Sequence, residues 1–442
     1  MRDSFSRMPA AATVWLLATA AVGCTSSSGG GPSGAGGFNG GGGSGTGGEV
    51  SAGRGGSVAG SGGTAGNTSG SGGSGGSSSG AGGTNAGGSA SAGGGMTGAG
   101  AGDSGAIGGN GGSLAPAVDG SPDAPANDKP MSIYWVDVEG GAATLLVAPT
   151  GETMLIDSGW DFGPSLTRVG EAMTLAGAGT KLDYFLGTHY HEDHVANAPA
   201  LAAKFKIGTF LDHGPLISTQ PPEPEPFFKE YAAGVGTSKR ISVVPGQTFQ
   251  LGAVKVTVVT SATKVIDPLP TARENPNCTG ARVVKDVPDE DPQSVGVLVQ
   301  FGKFDFVDLG DLTWGVEHLL ACPMNRIGAV DLFQSSQHGE SDSNAPQLVY
   351  GLEPTAIVVN NGAEKGGSAS TFTAFKASPG LKDLWAMHQV TANSAAQNAP
   401  PETTANIGTK DEGKWLRADI YGDGHFTITN ARTNLVRNYE SR

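Results

Sequence analysis

The stretch Leu182-Asp183-Tyr184-Phe185-Leu186-Gly187-Thr188-His189-Tyr190-His191-Glu192-Asp193-His194 passes within a few residues from an apolar run to a cluster of metal-ligating side chains. Residues 182–186 have the length and composition of a buried strand, and Gly187-Thr188 ends it. The six residues that follow hold three imidazoles and two carboxylates. Neutral imidazole and carboxylate are good ligands for zinc and similar divalent ions. Several of them in one short turn converge only if the backbone curls around the ion. His189 and His191 are spaced to reach one metal, while Asp193 and His194 point to a second. The alternative is a solvated polar loop with chance histidines, and a segment in which five of six residues bind or titrate argues against it.

Working outward, residues 132–137 and 143–147 are predicted strands rich in β-branched and apolar residues. A turn at 149–152 leads to a strand at 154–157. Residues 164–178 are predicted as a helix, with Pro164 in its first turn and Leu166, Val169 and Met173 on one face. Past the histidine cluster come a helix over 196–205 and a strand at 207–211. The proline-rich segment 221–226 is expected to be an exposed loop. Further strands are predicted at 254–259, 295–301, 304–309 and 356–359, with a helix over 313–321. The alternation implies an α/β class with a sheet-rich core flanked by helices.

With these pieces in order, the sequence resembles the metallo-β-lactamase superfamily, whose HxHxDH signature follows a buried strand. Asp157, in Leu155-Ile156-Asp157-Ser158-Gly159, matches the family's strand-end aspartate, which orients a ligand from behind more often than it binds metal. Asp311, in Leu309-Gly310-Asp311-Leu312, matches the carboxylate that bridges two metals. His338, in Ser335-Ser336-Gln337-His338-Gly339, matches the last histidine ligand. Residues 136–146 are similar to the first hairpin of the branch containing the hydrolase domain of DNA-uptake competence proteins. The resemblance runs through nearly all of residues 131–435.

The resemblance implies a four-layer αβ/βα sandwich with metals at one edge of its two sheets. It implies His189, His191, Asp193, His194, Asp311 and His338 as ligands, with Asp193 and Asp311 also catalytic. The ion expected is Zn2+, one or two per chain, with Fe and Mn left open. The related diiron branch generally has glutamate at the position of His191, so histidine there favours zinc and hydrolysis. The chemistry implied is attack by hydroxide held on the metals, with Asp193 or a metal-held water relaying the proton. Phosphodiesters stand slightly ahead of lactones, thioesters and β-lactams, on likeness to the competence-protein branch alone. The alternative is a non-catalytic cell-surface binding protein that keeps the fold; the intact Asp193 and Asp311 speak against it.

One ligand is missing from the pattern. The superfamily usually has another histidine between HxHxDH and the bridging aspartate, and no histidine occurs from Gly214 to Glu317. His213, at the end of the 207–211 strand, is the one intermediate histidine. It could complete the first metal's shell, line the pocket, or do neither. Asp308 is a weaker alternative to Asp311. His318 reads as a surface or packed histidine on a helix, His388 as a pocket or core residue, and His425 as solvated in a hairpin turn. Asn360-Asn361-Gly362 reads as a turn.

Composition sets the rest. The chain has 442 residues and 74 glycines, 41 of them between Gly29 and Gly112. Such a tract cannot bury enough apolar surface to offset chain entropy and is expected to be disordered. Arg2 and Arg7 precede a mostly apolar run at 10–22 that ends at Cys24, similar to a bacterial lipoprotein signal, although Ala21 stands where that family usually has leucine. The expected organisation is a signal at 1–24, a flexible Gly/Ser-rich tether at 25–130, and a hydrolase domain at 131–442. The protein is expected to be exported and held to the cell envelope by acyl chains, or otherwise secreted; contact with a membrane would be through that lipid anchor only. The formal net charge of −14 disfavours non-specific binding to nucleic acid or anionic lipid. A phosphate-bearing substrate stays open, because a bound metal reverses the local sign. Cys278 and Cys322 could pair in an exported protein or remain free thiols.

Overall fold

The computed structural model describes residues 129–217, 226–408 and 412–442. The signal expected at 1–24 with Cys24, the Gly/Ser tract up to residue 128, and residues 221–225 of the proline-rich segment lie outside these.

Two large sheets stack face to face. In the first, three C-terminal strands (Val436–Glu440, His425–Asn430 and Leu416–Ile420) lead antiparallel into Met131–Trp135, Thr144–Val147 and Thr153–Ile156. The sheet then turns parallel through Lys181–Leu186, Lys206–Asp212 and Arg240–Ser242. The second sheet runs parallel through Thr404–Asn406, Asp383–His388, Ala356–Val359, Leu332–Gln334 and Phe304–Asp308. It finishes antiparallel through Gly296–Phe301, Val254–Ser261 and Thr248–Leu251.

The period-2 alternation of strand side chains builds three apolar layers. Met154 and Ile156 point inward to meet Val256, Phe306 and Trp385 of the opposite sheet, while Leu155 points outward. That outer layer packs Leu155, Phe185 and Phe210 against Val169 and Met173 of the helix Ser165–Leu175, Leu201 of Ala198–Lys204 and Tyr231 of Pro226–Val235. On the far side, Val307, Phe333 and Ile357 meet Leu320 of Trp314–Ala321, Val349 of Pro346–Leu352 and Phe375 of Ala369–Lys376. Each such buried Leu, Val or Phe is worth roughly 1.5–3 kcal/mol of transfer free energy. This is the four-layer αβ/βα sandwich. Helix Pro226–Val235 was not expected, since residues 214–240 carry no helical signal strong enough to stand out from a loop. Pro226 opens this helix rather than closing the proline-rich loop, as its missing N–H allows at a first helical position.

Parallel strands bring their carboxyl ends to one edge, and ligand sites in such sheets collect there. Asp157, Thr188–His189 and His213 follow three neighbouring strand ends of the first sheet, and Asp311, His338 and Asn360 follow three of the second. Val295 N donates to Thr188 O at 2.9 Å, tying the two edges together.

Candidate metal centre

Two groups of donors converge at this edge. The first contains His189, His191 and Asp291; the second contains Asp193, His194, Asp311 and His338. In the first, Asp291 Oδ1 lies 2.8 Å from His191 Nδ1 and 3.3 Å from His189 Nε2. In the second, Asp193 Oδ2 lies 2.9 Å from His338 Nε2 and 3.3 Å from His194 Nε2. Asp311 faces the same two rings, at 3.3 Å from His194 and 3.2 Å from His338. The groups adjoin, with the His189 and His194 rings 4.1 Å apart.

The backbone makes this convergence by unusual means. His191 caps the short helix Glu192–Val195, so Asp193 and His194 project from a single turn. Gln337 and His338 both adopt left-handed φ, 46° and 52°, and Asp157 does so at 58°. Such non-glycine conformations are strained, and they persist where the surroundings over-determine them, as at functional sites. Gly310 has φ 57°, and a Cβ there would stand 2.8 Å from Thr188 Cβ, so only glycine lets the turn before Asp311 approach the histidine turn.

A ring of supporting groups sets the orientation of each imidazole. His194 Nδ1 pairs with Asp157 Oδ2 at 2.7 Å, and His338 Nδ1 lies 3.3 Å from Asn360 O. His189 Nδ1 lies 3.1 Å from Thr188 Oγ1, which itself donates to Asp157 Oδ2. With Nδ1 carrying the proton in these three rings, each Nε2 presents a lone pair to the centre. Gln337 Nε2 donates to Asp291 Oδ2, and Ser294 Oγ accepts from Asp311 N.

Electrostatics keep the carboxylates ionised. Burial opposes charge on Asp193, but His194 and His338 outweigh it and hold its pKa well below the usual range. Burial likewise opposes charge on Asp311, and the same two rings overcome it; for Asp291, His189 and His191 do so. The reciprocal effect raises His194, where Asp311, Asp193 and Asp157 outweigh burial, and raises His338. In His189 burial dominates, with His194 adding to it, and the pKa falls.

The donor set fits divalent metal. Asp291 Oδ1 and Asp311 Oδ1 are buried and accept no hydrogen bond, although imidazole nitrogens stand 2.8 Å and 3.3 Å away. Oxygens and nitrogens that crowd without hydrogen-bond geometry are arranged around a common point, as ligands of one ion are. Mixed imidazole and carboxylate donors suit zinc, iron or manganese.

Asp291 has no counterpart among the sequence-derived candidates. It lies in the acidic segment Asp286 to Asp291, where nothing local separates it from Asp289 or Glu290. His213 joins neither group. Its Nε2 pairs with Glu290 Oε2 at 2.9 Å, and its ring packs on Tyr190 with centroids 4.4 Å apart. Asp308 is also outside both groups; its Oδ1 accepts Gly310 N. His318 is half-buried on its helix, and His425 is the first residue of the strand after a turn, paired with Asp423. His388 is buried against Asp137 at 2.8 Å, and Asp137, Glu139 and His388 form a third cluster of potential ligands. There Arg168 lies 3.2 Å from Asp137 and 3.1 Å from Glu139, so a guanidinium already neutralises the carboxylates.

Residues 136–283 match the family model of the metallo-beta-lactamase superfamily. The sandwich with flanking helices described above is the metallo-β-lactamase fold. The matched stretch contains the HxHxDH turn and ends before Asp291, Asp311 and His338, which the tertiary structure adds to it. A UPF0173 metal-dependent hydrolase of Anaeromyxobacter dehalogenans is 35% identical over 125 residues, which are 28% of this chain and 40% of that protein. The chain therefore matches less than half the length of that curated relative. Among solved structures, the metallo-beta-lactamase fold protein YhfI of Bacillus subtilis has a TM-score of 0.38 at 12% identity, covering 58% of this chain and 96% of that one. The metallo hydrolase Igni18 of Ignicoccus hospitalis has a TM-score of 0.35 at 11% identity, covering 65% and 98%. The diiron β-hydroxylase CmlA of Streptomyces venezuelae has a TM-score of 0.32 at 16% identity, covering 52% and 44%.

Proposed function

We propose that this chain is an exported, zinc-dependent hydrolase acting on a phosphodiester in preference to a lactone, thioester or β-lactam. The observation that carries the metal-dependent chemistry is the convergence of seven imidazole and carboxylate side chains with two buried carboxylate oxygens left without hydrogen bonds. The curated relative described as a metal-dependent hydrolase supports the same reading. Divalent ions held there would supply a Lewis acid and lower the pKa of water toward neutrality.

The chain's own residues do the remainder. His189, His191 and Asp291 would hold one ion, and Asp193, His194, Asp311 and His338 would hold the other. Asp157, Thr188 and Asn360 fix which imidazole nitrogen faces the centre, so the site is organised before substrate arrives. Asp193, kept ionised by its neighbours, is the proton relay. Preference for a phosphodiester rests on the likeness of residues 136–146 to the competence-protein branch. The disulfide between Cys278 and Cys322 (Cα–Cα 5.7 Å) supports export, since such bonds persist mainly in oxidising compartments. We assign the signal and lipid anchor to residues 1–24 and the tether to the Gly/Ser tract after it.

The test is hydrolysis of bis(p-nitrophenyl) phosphate by the zinc-loaded full-length chain, beside Asp311→Ala. Turnover lost in the variant is expected. No turnover by a chain shown to hold two zinc ions shifts the substrate to a carbonyl compound such as a lactone. No turnover and no metal overturns the hydrolase reading in favour of a binding protein.

A further inference from the structure

A cation and two aromatic rings at the edge of the centre take no part in holding metal. Lys365 lies on the turn that follows the strand Ala356–Val359, where Gly362 N donates to Lys365 O at 2.8 Å. Its stem packs closely on the opposite loop, for a Cβ added at Gly140 would come within 3.2 Å of Lys365 Cβ. Its Nζ sits 4.8 Å from the centroid of the Trp160 ring and pairs with Asp193 Oδ2. The Lys365 side chain is 37% exposed, whereas that of Asp193 is 9% exposed. Trp160 packs against Phe162 with centroids 5.2 Å apart, and Phe162 is 59% exposed.

A lysine in this position opposes metal retention, because it competes for a ligand oxygen and repels the ion. Phe162, packed on the same Trp160 ring that the ammonium faces, leaves more than half of its surface exposed. Both features serve a ligand that brings negative charge and a flat apolar group together. We propose that Lys365 anchors an anionic oxygen of the substrate and that Trp160 and Phe162 form the platform for a planar ring attached to the same group. The substrate class is a phosphate ester bearing an aromatic or nucleobase-like ring, and this rests on the phosphodiester reading above. Once an ion occupies the Asp193 oxygen, the ammonium stays over the Trp160 face and is free to pair with the ester's charged oxygen. A neutral lactone has no such oxygen.

The test uses phenylphosphonate and methylphosphonate, which cannot be hydrolysed as esters. Their binding to the zinc-loaded full-length chain is measured by calorimetry, with zinc content measured in every sample. Lys365→Met is expected to weaken both ligands about tenfold or more, and Lys365→Arg to restore most of the affinity. Phe162→Ala is expected to weaken phenylphosphonate about threefold or more and to leave methylphosphonate unchanged. Zinc content should be the same throughout. A parent chain that binds phenylphosphonate, with Lys365→Met binding it equally well, overturns the anchor alone. Loss of zinc from Lys365→Met makes the lysine a structural counter-ion and also overturns it. Equal loss of both ligands in Phe162→Ala overturns the platform. A zinc-loaded parent that binds neither phosphonate overturns the phosphodiester reading, and the anchor with it.

Discussion

His213 Nε2 lies 2.9 Å from Glu290 Oε2, and Glu290 immediately precedes Asp291 of the first donor group. Glu290 also accepts from Ile217 N through Oε1 at 2.7 Å, and His213 holds its carboxyl below the usual range against the opposing effect of burial. The histidine that sequence alone offers as a ligand thus reaches the metal site at one remove, by fixing the loop that delivers a carboxylate.

That arrangement separates two variants. Asp291→Ala should cost one metal per chain. His213→Ala should retain both sites with affinity for one lowered about 10–100-fold, the usual effect of removing a group that positions a ligand. Competitive zinc titration against a chelator measures both. Identical loss in the two variants would make His213 a ligand in its own right.

His191→Ala and Asp311→Ala each remove a donor from one group while leaving the three apolar layers untouched. Turnover should vanish in both, with circular dichroism close to that of the parent. Unchanged turnover in either would sink the assignment of these residues.

The disulfide between Cys278 and Cys322 spans 44 residues, from the loop that leads toward Asp291 to the end of the helix Trp314–Ala321. In the chain-entropy model a loop of this length contributes about 4 kcal/mol. Denaturant unfolding with and without reductant should differ by an amount of this order. Curves that superimpose would show that the bond adds nothing to stability.

Glu317 is fully buried, and burial pushes its carboxyl up to about 7, although Asn344 N and Ala345 N donate to it. The folded state therefore binds a proton that the unfolded chain releases from about pH 4.5 upward. Its contribution to stability falls as pH rises from about 4.5 to about 7 and is constant beyond, a change of roughly 3 kcal/mol. Glu317→Gln should flatten this part of the stability profile. A variant whose profile keeps the full slope would place the titration elsewhere.

The legible part of the site was local. HxHxDH packs most of its donors into one turn, and Asp157, Asp311 and His338 each follow an apolar run that reads as a strand or strand end. The strands Ala356–Val359 and Phe304–Asp308 were legible for the same reason, since a buried strand is a short apolar run. Helix Pro226–Val235 and the edge strand Arg240–Ser242 were not legible, because partial burial leaves them with weak patterns.

The sequence by itself determined the α/β class and the metal-binding turn, because strand period and ligand spacing are properties of neighbours along the chain; a hydrolytic chemistry is implied only by the resemblance to the metallo-β-lactamase superfamily. Only the tertiary structure decided that Asp291 completes the first group, that His213 stands behind it, and that Lys365 meets Asp193. Asp193 lies in the short helix that follows a strand of the first sheet and Lys365 in the turn that follows a strand of the second, and nothing local marks one acidic or basic side chain among many. Their meeting depends on two stacked sheets presenting their carboxyl ends at one edge, with strained turns at Asp157, Gln337 and His338 held in place by the packing around them.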